Sequence, residues 1–328
     1  MGRHPINFHN IGTVHGSYVR GSSIWQSYNR AIAMKGVHNL RVRDNVIFDV
    51  MGHAIFLEDG VEIRNLIQYN LVASVKSSFS LLYSDQVPAA FWISNPDNYL
   101  TGNSAVGSDA SGFWYDLAET ATGSSTTSTI CPIGAKLGEF RLNKAHSNSK
   151  YGLRIHKTFS PRVDACDDVD SVDNPALTAE FQSFEGWLNG RNGVIGGDLG
   201  AVVFKNLTLE TNVLSGFEVE RDVNLAAEIG YLDGAVIIGK NTNRNVPFDE
   251  APHGVITPRT ERYWIKNVEF YNFNFAKGDG TKAAAIGTCS HCYVDVVDST
   301  DSGARTAFFS GIRYNKVEDG VNTQVIRY

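Results

Sequence analysis

Short apolar segments recur along this chain at a nearly constant spacing, and this repeat restricts the possible folds more than any other sequence feature. Ala31-Ile32-Ala33 is followed 23 residues later by Ala54-Ile55-Phe56, and Ser22-Ser23-Ile24 by Asn45-Val46-Ile47 at the same offset. Further segments follow a Gly or an Asn: 113–115, 153–155, 201–204, 217–219, 235–238 and 268–270. Short strands separated by Gly or Asn at this spacing predict a parallel β-solenoid, with Gly or Asn at the corners that need positive φ.

Two other architectures fit the sequence less well. A β-sandwich would show Asn-Gly hairpin turns between alternating strands, but Asn189-Gly190 and Asn192-Gly193 fall in a loop-like stretch. A doubly wound α/β fold needs long segments of helical periodicity, and we find none. The length of 328 residues is typical of two domains, but a solenoid is not limited by the size of one compact core. We therefore predict a single all-β solenoid domain over 1–328, with roughly a dozen irregular coils.

Two stretches interrupt the repeat and are predicted to be loop excursions from coil corners. Residues 117–137 contain the low-complexity segment Thr120–Thr129, and residues 157–198 contain the acidic run Asp164–Asp173 followed by the glycine-rich 190–197. The acidic run could bind Ca²⁺ through its carboxylate oxygens, but it lacks the spacing of a known calcium loop and is more typical of a solvated loop. No other metal and no organic cofactor is predicted.

Composition and charge exclude several classes of protein. The net charge of −6 disfavours a generic nucleic-acid binder, which needs a basic face. No apolar run is long enough to insert into a membrane. Four cysteines are too few for a disulfide-built scaffold, and their pairing stays open; Cys289-Ser-His-Cys292 is either a local disulfide or two packed thiols. Asn206-Leu-Thr208 is the single N-glycosylation sequon.

Several longer motifs resemble one known family, the fibrocystin-like and hyaluronan-binding β-helix proteins. They are Arg3–His9, Gly52–Gly60, Ala90–Pro96, Gly112–Tyr115, Tyr151–Arg154 and the segment from Gly254 to Gly303. The resemblance covers nearly the whole chain. It implies a right-handed, single-stranded parallel β-helix of the pectin-lyase type and an extracellular, cell-surface or ciliary setting. In the family this region follows a glycine-marked β domain, so we expect the chain to be a fragment whose targeting sequence lies outside these residues.

The candidate catalytic residues are two carboxylates and two histidines. Glu58 and Asp59 form an adjacent acidic pair, but the 23-residue offset places Lys35 one coil below Glu58 and predicts a lysine–glutamate ladder. His9 and His53 are candidates for proton transfer. The resembling proteins carry a second histidine two positions before His9, where this chain has Asn7. Each of these residues has a structural alternative, as a surface ion pair or a hydrogen-bonded spacer.

The candidate ligand-binding residues are Arg154, His146, Trp92 and Trp114. Arg154 could hold a uronate carboxylate, and aromatic rings near coil edges could stack on sugars. Large aromatics also fill β-helix interiors, so both roles stay open. The first 64 residues have a local charge of +2 within a chain of −6, which favours an anionic glycan at this end.

Two functions follow as hypotheses. The first is an extracellular adhesion or binding segment for a glycan or protein ligand, with end-to-end self-association as a further expectation. The second is a depolymerase of a hyaluronan-like polymer, a glycosidase or lyase in which Glu58 or Asp59 is the acid or base and His9 the proton shuttle. The sequence predicts that catalysis requires His9, His53, Glu58 and Asp59 to line one groove.

Overall fold

The computed structural model describes residues 4–79, 83–167, 173–222, 230–240, 253–258, 263–273, 283–288 and 307–315. Three short 3-10 helices occur within them, at Tyr83–Gln86, Gly123–Ser125 and Pro132–Gly134. The strands in chain order are β1 (Ile6–Thr13), β2 (Tyr18–Arg20), β3 (Ser23–Ser27), β4 (Ile32–His38), β5 (Arg41–Arg43), β6 (Val46–Met51), β7 (Ile55–Leu57), β8 (Leu66–Gln68), β9 (Leu71–Lys76), β10 (Ala89–Ile93), β11 (Tyr99–Thr101), β12 (Ser104–Ser108), β13 (Ser111–Asp116), β14 (Glu139–Arg141), β15 (Lys144–His146), β16 (Tyr151–Phe159), β17 (Ala179–Gln182), β18 (Glu185–Trp187), β19 (Asn192–Leu199), β20 (Val202–Glu210), β21 (Ser215–Asp222), β22 (Tyr231–Ile238), β23 (His253–Thr257), β24 (Tyr263–Tyr271), β25 (Ala284–Thr288), β26 (Ala307–Ser310) and β27 (Arg313–Asn315).

The strands pair in parallel, each with its equivalent in the next coil. The first sheet has ten strands, in the order β1-β4-β7-β10-β13-β16-β19-β21-β23-β25. The second face runs from β2 through β5, β8, β11 and β14 to β17, and the third from β3 through β6, β9, β12 and β15 to β18. These two faces merge at β20, which pairs with both β17 and β18. The predicted parallel β-helix is confirmed, and its described part has ten coils.

Apolar side chains at equivalent positions of successive coils fill the interior. One register column of the first sheet contains Ile6, Ile32, Ile55, Phe91, Phe113, Leu153, Val194, Phe217, Val255 and Ile286. Within it, the rings of Phe91 and Phe113 stack at 4.6 Å between centroids. The residue that follows each of these points to the outer face of the sheet, because side chains alternate along a strand. The outer neighbours of Ile55, Phe91 and Phe113 form the candidate site described below.

Buried asparagines form ladders at the corner between the second and third faces. The Nδ2 group of Asn45 donates to Oδ1 of Asn70, 25 residues later, and Asn70 donates to Asn103, 33 residues later. Asn103 in turn donates to Asn143 at a separation of 40 residues. The predicted role of Asn is confirmed at other corners, where Asn39, Asn206 and Asn272 have positive φ. In this ladder, however, the positive φ angles belong to the residues just before the asparagines: Asp44, Tyr69, Gly102 and Leu142. The asparagines satisfy the backbone groups that the bend exposes.

Coil length varies because some coils carry insertions, and these insertions lie at the corners. The excursion predicted over 117–137 lies between β13 and β14. The one predicted over 157–198 is shorter, since β17, β18 and β19 fall within it. Gly193, Gly196 and Gly197 belong to β19. A Cβ on Gly193 would lie 2.7 Å from the carbonyl oxygen of Gly216, so strand packing requires glycine there. A further insertion between β9 and β10 contributes Asp85 to the candidate site.

A disulfide joins two of these excursions. Cys131 lies after β13 and Cys166 after β16, with 5.1 Å between their Cα atoms. The bond therefore connects successive coils. Cys289 and Cys292 lie outside the described residues. No helix of the described residues is both long and apolar enough to cross a membrane.

Candidate functional site

A buried ion pair lies at the start of β7, on the outer side of the first sheet. The guanidinium of Arg30 donates to both carboxylate oxygens of Asp85, at 3.2 and 2.8 Å. The side chains of Arg30 and Asp85 are only 3% and 1% exposed. Arg30 also lies over the ring of Phe56, 3.7 Å from its centroid. The pair is thus held on two sides, by a carboxylate and by an aromatic face.

His53 is fully buried against this pair. Its Nδ1 accepts the backbone N–H of Ala89 at 3.1 Å, so the neutral ring carries its proton on Nε2, which lies 3.6 Å from Oδ1 of Asp85. Its ring stacks on Phe56 and packs against Trp92, with centroids 5.2 and 4.1 Å away. Burial lowers the pKa of His53 to about 3, an effect to which Arg30 adds and which Asp85 opposes. His53 is therefore neutral at physiological pH.

Arg30 dominates the electrostatics of Asp85. Burial alone raises the pKa of Asp85, but the hydrogen bond from Arg30 and the nearby His53 outweigh it and hold that pKa below its ordinary value. The carboxylate is thus ionised and fully engaged by its neighbours. It is poorly suited to accept a proton from a substrate, because protonation would leave Arg30 buried without a counter-ion.

Glu58 and Asp59 converge on one lysine at the end of β7. The Nζ of Lys35 lies 3.1 Å from Glu58 and 3.3 Å from Asp59, which confirms the predicted lysine–glutamate ladder. Adjacent residues within a strand point to opposite faces. The strand ends at Leu57, however, and the chain turns, with Glu62 accepting the N–H of Gly60 at 2.9 Å. The turn brings both carboxylates to the same side.

The excursion between β13 and β14 covers Asp59. Its carboxylate accepts the backbone N–H of Ser125 at 3.1 Å and the hydroxyl of Ser124 at 3.3 Å, and it is only 2% exposed. Gly123 lies against Asp59, so close that a Cβ on this residue would be 2.2 Å from Oδ1 of Asp59. Its φ of +61° also favours glycine. Glu58 is more open, at 26% exposure, and its other oxygen lies 4.0 Å from Arg30. Glu58 therefore joins the Arg30–Asp85 pair to the ion pairs of Lys35, and together they form one network, Asp85–Arg30–Glu58–Lys35–Asp59.

His9 is separated from His53. His9 is exposed on β1, in register with Lys35 on β4. His53 precedes β7 and is sealed from solvent. The structure brings His9 toward the Lys35 end of the network and His53 into its opposite end. The four residues proposed for catalysis therefore do not line one open groove.

An aromatic stack continues from His53 along the outer face of the first sheet. Trp92 and Trp114 pair in register and their rings lie 5.0 Å apart. On the other side of Trp114, the guanidinium of Arg154 lies 4.2 Å from the ring centroid. Each tryptophan is only 7% exposed. Sugar stacking needs open ring faces, and those of the two tryptophans are instead covered by neighbouring side chains.

Arg154 is the part of this stack that reaches solvent. It is half-buried over Trp114 and lies 5.0 Å from the ring of Tyr151. Its terminal nitrogen is 3.2 Å from Nδ1 of His156. Burial and the charge of Arg154 lower the pKa of His156. Neutral His156 thus leaves Arg154 as the cationic group of this surface.

Other predicted residues lie elsewhere. His146 is on the third face, where its ring stacks on Trp187 at 4.3 Å, so it cannot act together with Arg154. Asn206 is exposed on β20 at φ +54°, and its glycosylation stays a prediction. Asp168 and Asp170 of the acidic run lie outside the described residues. Among the residues that are described, no group of three or more His, Cys, Asp or Glu could hold a metal ion.

Sequence reasoning missed Arg30 and Asp85. Arg30 precedes His53 by the 23-residue offset that related Lys35 to Glu58, so the repeat contained a signal for this neighbour. Asp85 lies in an insertion outside the repeat. No local pattern relates it to Arg30.

Comparison with known proteins shows which β-helix proteins this chain is similar to. Residues 1–153 match the CEMIP beta-helix family. Mouse fibrocystin-L is 36% identical over 330 residues, which cover 96% of this chain and 7% of that protein. Human cell surface hyaluronidase CEMIP2 is 36% identical over 191 residues, or 48% of the chain and 14% of that protein. Human cell migration-inducing and hyaluronan-binding protein is 32% identical over 189 residues, 47% of the chain and 14% of the protein.

These comparisons confirm the resemblance inferred from the motifs. The chain is related to fibrocystin-L over nearly its whole length and to the hyaluronidases over about half of it. It spans only a small part of each relative.

Proposed function

We propose that this chain is an extracellular β-helix domain that binds an anionic glycan without cleaving it. One observation supports binding over cleavage. The carboxylates of the candidate catalytic network are already engaged by Arg30 and Lys35, and His53, which lies against Asp85, is buried and neutral. General acid–base cleavage needs an acid and a base that both reach the substrate.

The surface around Arg154 is the proposed binding site. A planar guanidinium fixed between Trp114 and Tyr151 can present its free edge to a carboxylate, and little side-chain entropy is lost when it binds. Arg191 is exposed just before the neighbouring strand β19, 5.9 Å from the ring of Tyr151. A uronate carboxylate is the ligand group that fits two arginines flanking one aromatic ring. The name of one relative, a hyaluronan-binding protein, points to the same class of ligand.

An extracellular or cell-surface setting is part of the proposal. The Cys131–Cys166 disulfide is of the kind that persists in oxidising compartments. Relatives named as cell surface hyaluronidases favour the same compartment.

A panel of size-defined glycans tests binding and cleavage together. We expect acidic glycans to bind without fragmentation, with affinity falling as salt rises. Arg154→Ala should weaken binding of a hyaluronan oligosaccharide about tenfold or more, because charge-assisted hydrogen bonds are lost. Lys144→Ala is the matched control, since Lys144 pairs with Glu185 on the third face, away from Arg154.

Fragmentation of the glycan would favour the depolymerase instead. The decisive result would be cleavage that disappears in His9→Ala or Glu58→Gln. A protein ligand becomes the better hypothesis if no glycan of the panel binds.

A further inference from the structure

A second basic surface lies on the second face, in the first two coils. A cavity of about 290 Å³ is lined by Gly16, Tyr18, Arg20, Arg41 and Arg43. We call this the arginine cleft. Tyr18 pairs in register with Arg41 and Arg20 with Arg43, so β2 and β5 present all four side chains outward. The intervening residues, Val19 and Val42, point into the core.

One carboxylate positions two of these arginines. Oδ2 of Asp44 lies 3.3 Å from Nε of Arg20 and 3.0 Å from Nε of Arg43. The hydrogen bond from Arg43 lowers the pKa of Asp44, so it stays ionised. Because Asp44 uses only the Nε groups, the terminal nitrogens of both arginines remain available to a ligand. Arg41 is exposed and forms no ion pair within the described part of the chain.

The spacing of the charges restricts the ligand. Neighbouring strands are about 5 Å apart, and alternate residues of one strand are about 7 Å apart. Three guanidiniums lie at these spacings, and the Asp44 carboxylate neutralises one of their charges. A net charge of +2 therefore remains within a single sugar-sized site. A polymer with one carboxylate per disaccharide places one negative charge in such a site. A sulfated polymer places several there, and its sulfate oxygens suit the guanidinium fork.

Tyr18 gives the arginine cleft a partly apolar wall. Its side chain is 66% exposed beside Arg41. The apolar C–H face of a sugar ring can pack on such a ring.

We infer that the arginine cleft is a second glycan-binding site, selective for sulfated glycans over carboxylated ones. It is independent of the Arg154 surface. The cleft is on the second face, whereas Arg154 is on the outer side of the first sheet. Each site can therefore fail without the other.

Calorimetric titration with a heparin-derived hexasaccharide and a hyaluronan hexasaccharide tests this inference on the full chain. We expect the sulfated ligand to bind at least tenfold more tightly. Arg41→Ala/Arg43→Ala should reduce that affinity at least tenfold and flatten its dependence on salt. Arg141→Ala is the matched control, because Arg141 lies on the same face but pairs with Glu139. Arg154→Ala should weaken hyaluronan binding far more than heparin binding.

Three results would overturn the inference. They are equal affinity for both hexasaccharides, an equal loss in Arg141→Ala, and binding of a DNA oligonucleotide or of phosphatidylserine vesicles as tight as that of the sulfated glycan. Circular dichroism of the double variant separates a lost site from a lost fold. If these tests fail while Arg154→Ala still weakens hyaluronan binding, only the inference about the arginine cleft is overturned, and the proposed function is still supported.

Discussion

At the scale of single residues, the Arg30–Asp85 pair makes strong demands on its surroundings. Moving two charges out of water costs several kcal/mol per ion, and only good geometry with full hydrogen bonding repays it. Arg30 meets that demand by donating to both carboxylate oxygens of Asp85 and by packing on the aromatic face of Phe56. The sequence could predict Lys35 beside Glu58 because both follow the repeat. It could not predict Asp85, because insertions place their residues by tertiary packing.

His53 should make stability depend on pH in a defined direction. Its pKa is about 3 in the folded state and about 6.5 when unfolded. As the pH falls below 6.5, only the unfolded state binds a proton at His53. The stability that depends on neutral His53 is therefore complete above that pH and is lost on acidification. Between pH 7 and 5 the loss is about 2 kcal/mol.

The measurement is the free energy of unfolding of the wild type minus that of His53→Asn, at both pH values. Asparagine can accept the N–H of Ala89 but does not titrate. Ionisable groups away from His53, such as Glu62, are common to both proteins and cancel. A difference that does not change with pH would show that His53 is not held neutral by burial.

At the scale of elements, the asparagine ladder explains how coils of unequal length share one corner. Each amide is bonded both to the ladder and to the backbone, as when Asn103 donates to the carbonyl of Ile67 at 2.8 Å. Hydrogen-bonding separations of 25, 33 and 40 residues show that the ladder tolerates insertions elsewhere in the coil. The repeat predicted the strands well but not these lengths, because only the corners and inner positions are repeated.

Asn103→Ala should be strongly destabilising. It removes the acceptor of two donors of Asn70 and the amide that donates to the Ile67 carbonyl, whereas Oδ1 of Asn143 keeps the backbone N–H of residue 103. Buried polar groups without partners cost about 1–3 kcal/mol each, so we expect a loss of about 3–5 kcal/mol. Urea denaturation followed by circular dichroism measures it. Asn7→Ala, at an exposed position, should change stability by less than about 0.5 kcal/mol; similar losses in both variants would contradict the role of the ladder.

At the scale of the whole molecule, the coils account for both the length and the composition. One solenoid accommodates 328 residues because each coil contacts only its neighbours. Fold class and family could therefore be predicted from repeats and motifs. The site could be predicted only in part, since Trp92 and Trp114 were identified but their burial depends on what packs over the sheet.

Self-association of the isolated chain is the prediction at this scale. Within the described residues, one edge of β1 pairs with β4, and the other edge of β1 pairs with no strand. Unpaired strand edges can add a strand from another chain. We expect concentration-dependent assembly in sedimentation velocity at micromolar concentration, reduced in Asn7→Lys but not in Asn7→Ser. A monodisperse monomer throughout that range would refute it.

The Cys131–Cys166 bond has a mechanical consequence. The hydrogen bonds between coils run along the solenoid axis, so tension applied at the two ends pulls on every coil interface in series, and the weakest interface separates first. The disulfide joins successive coils. At that one interface the force passes through a covalent link, so stretching should unwind the solenoid on either side and leave this pair of coils together.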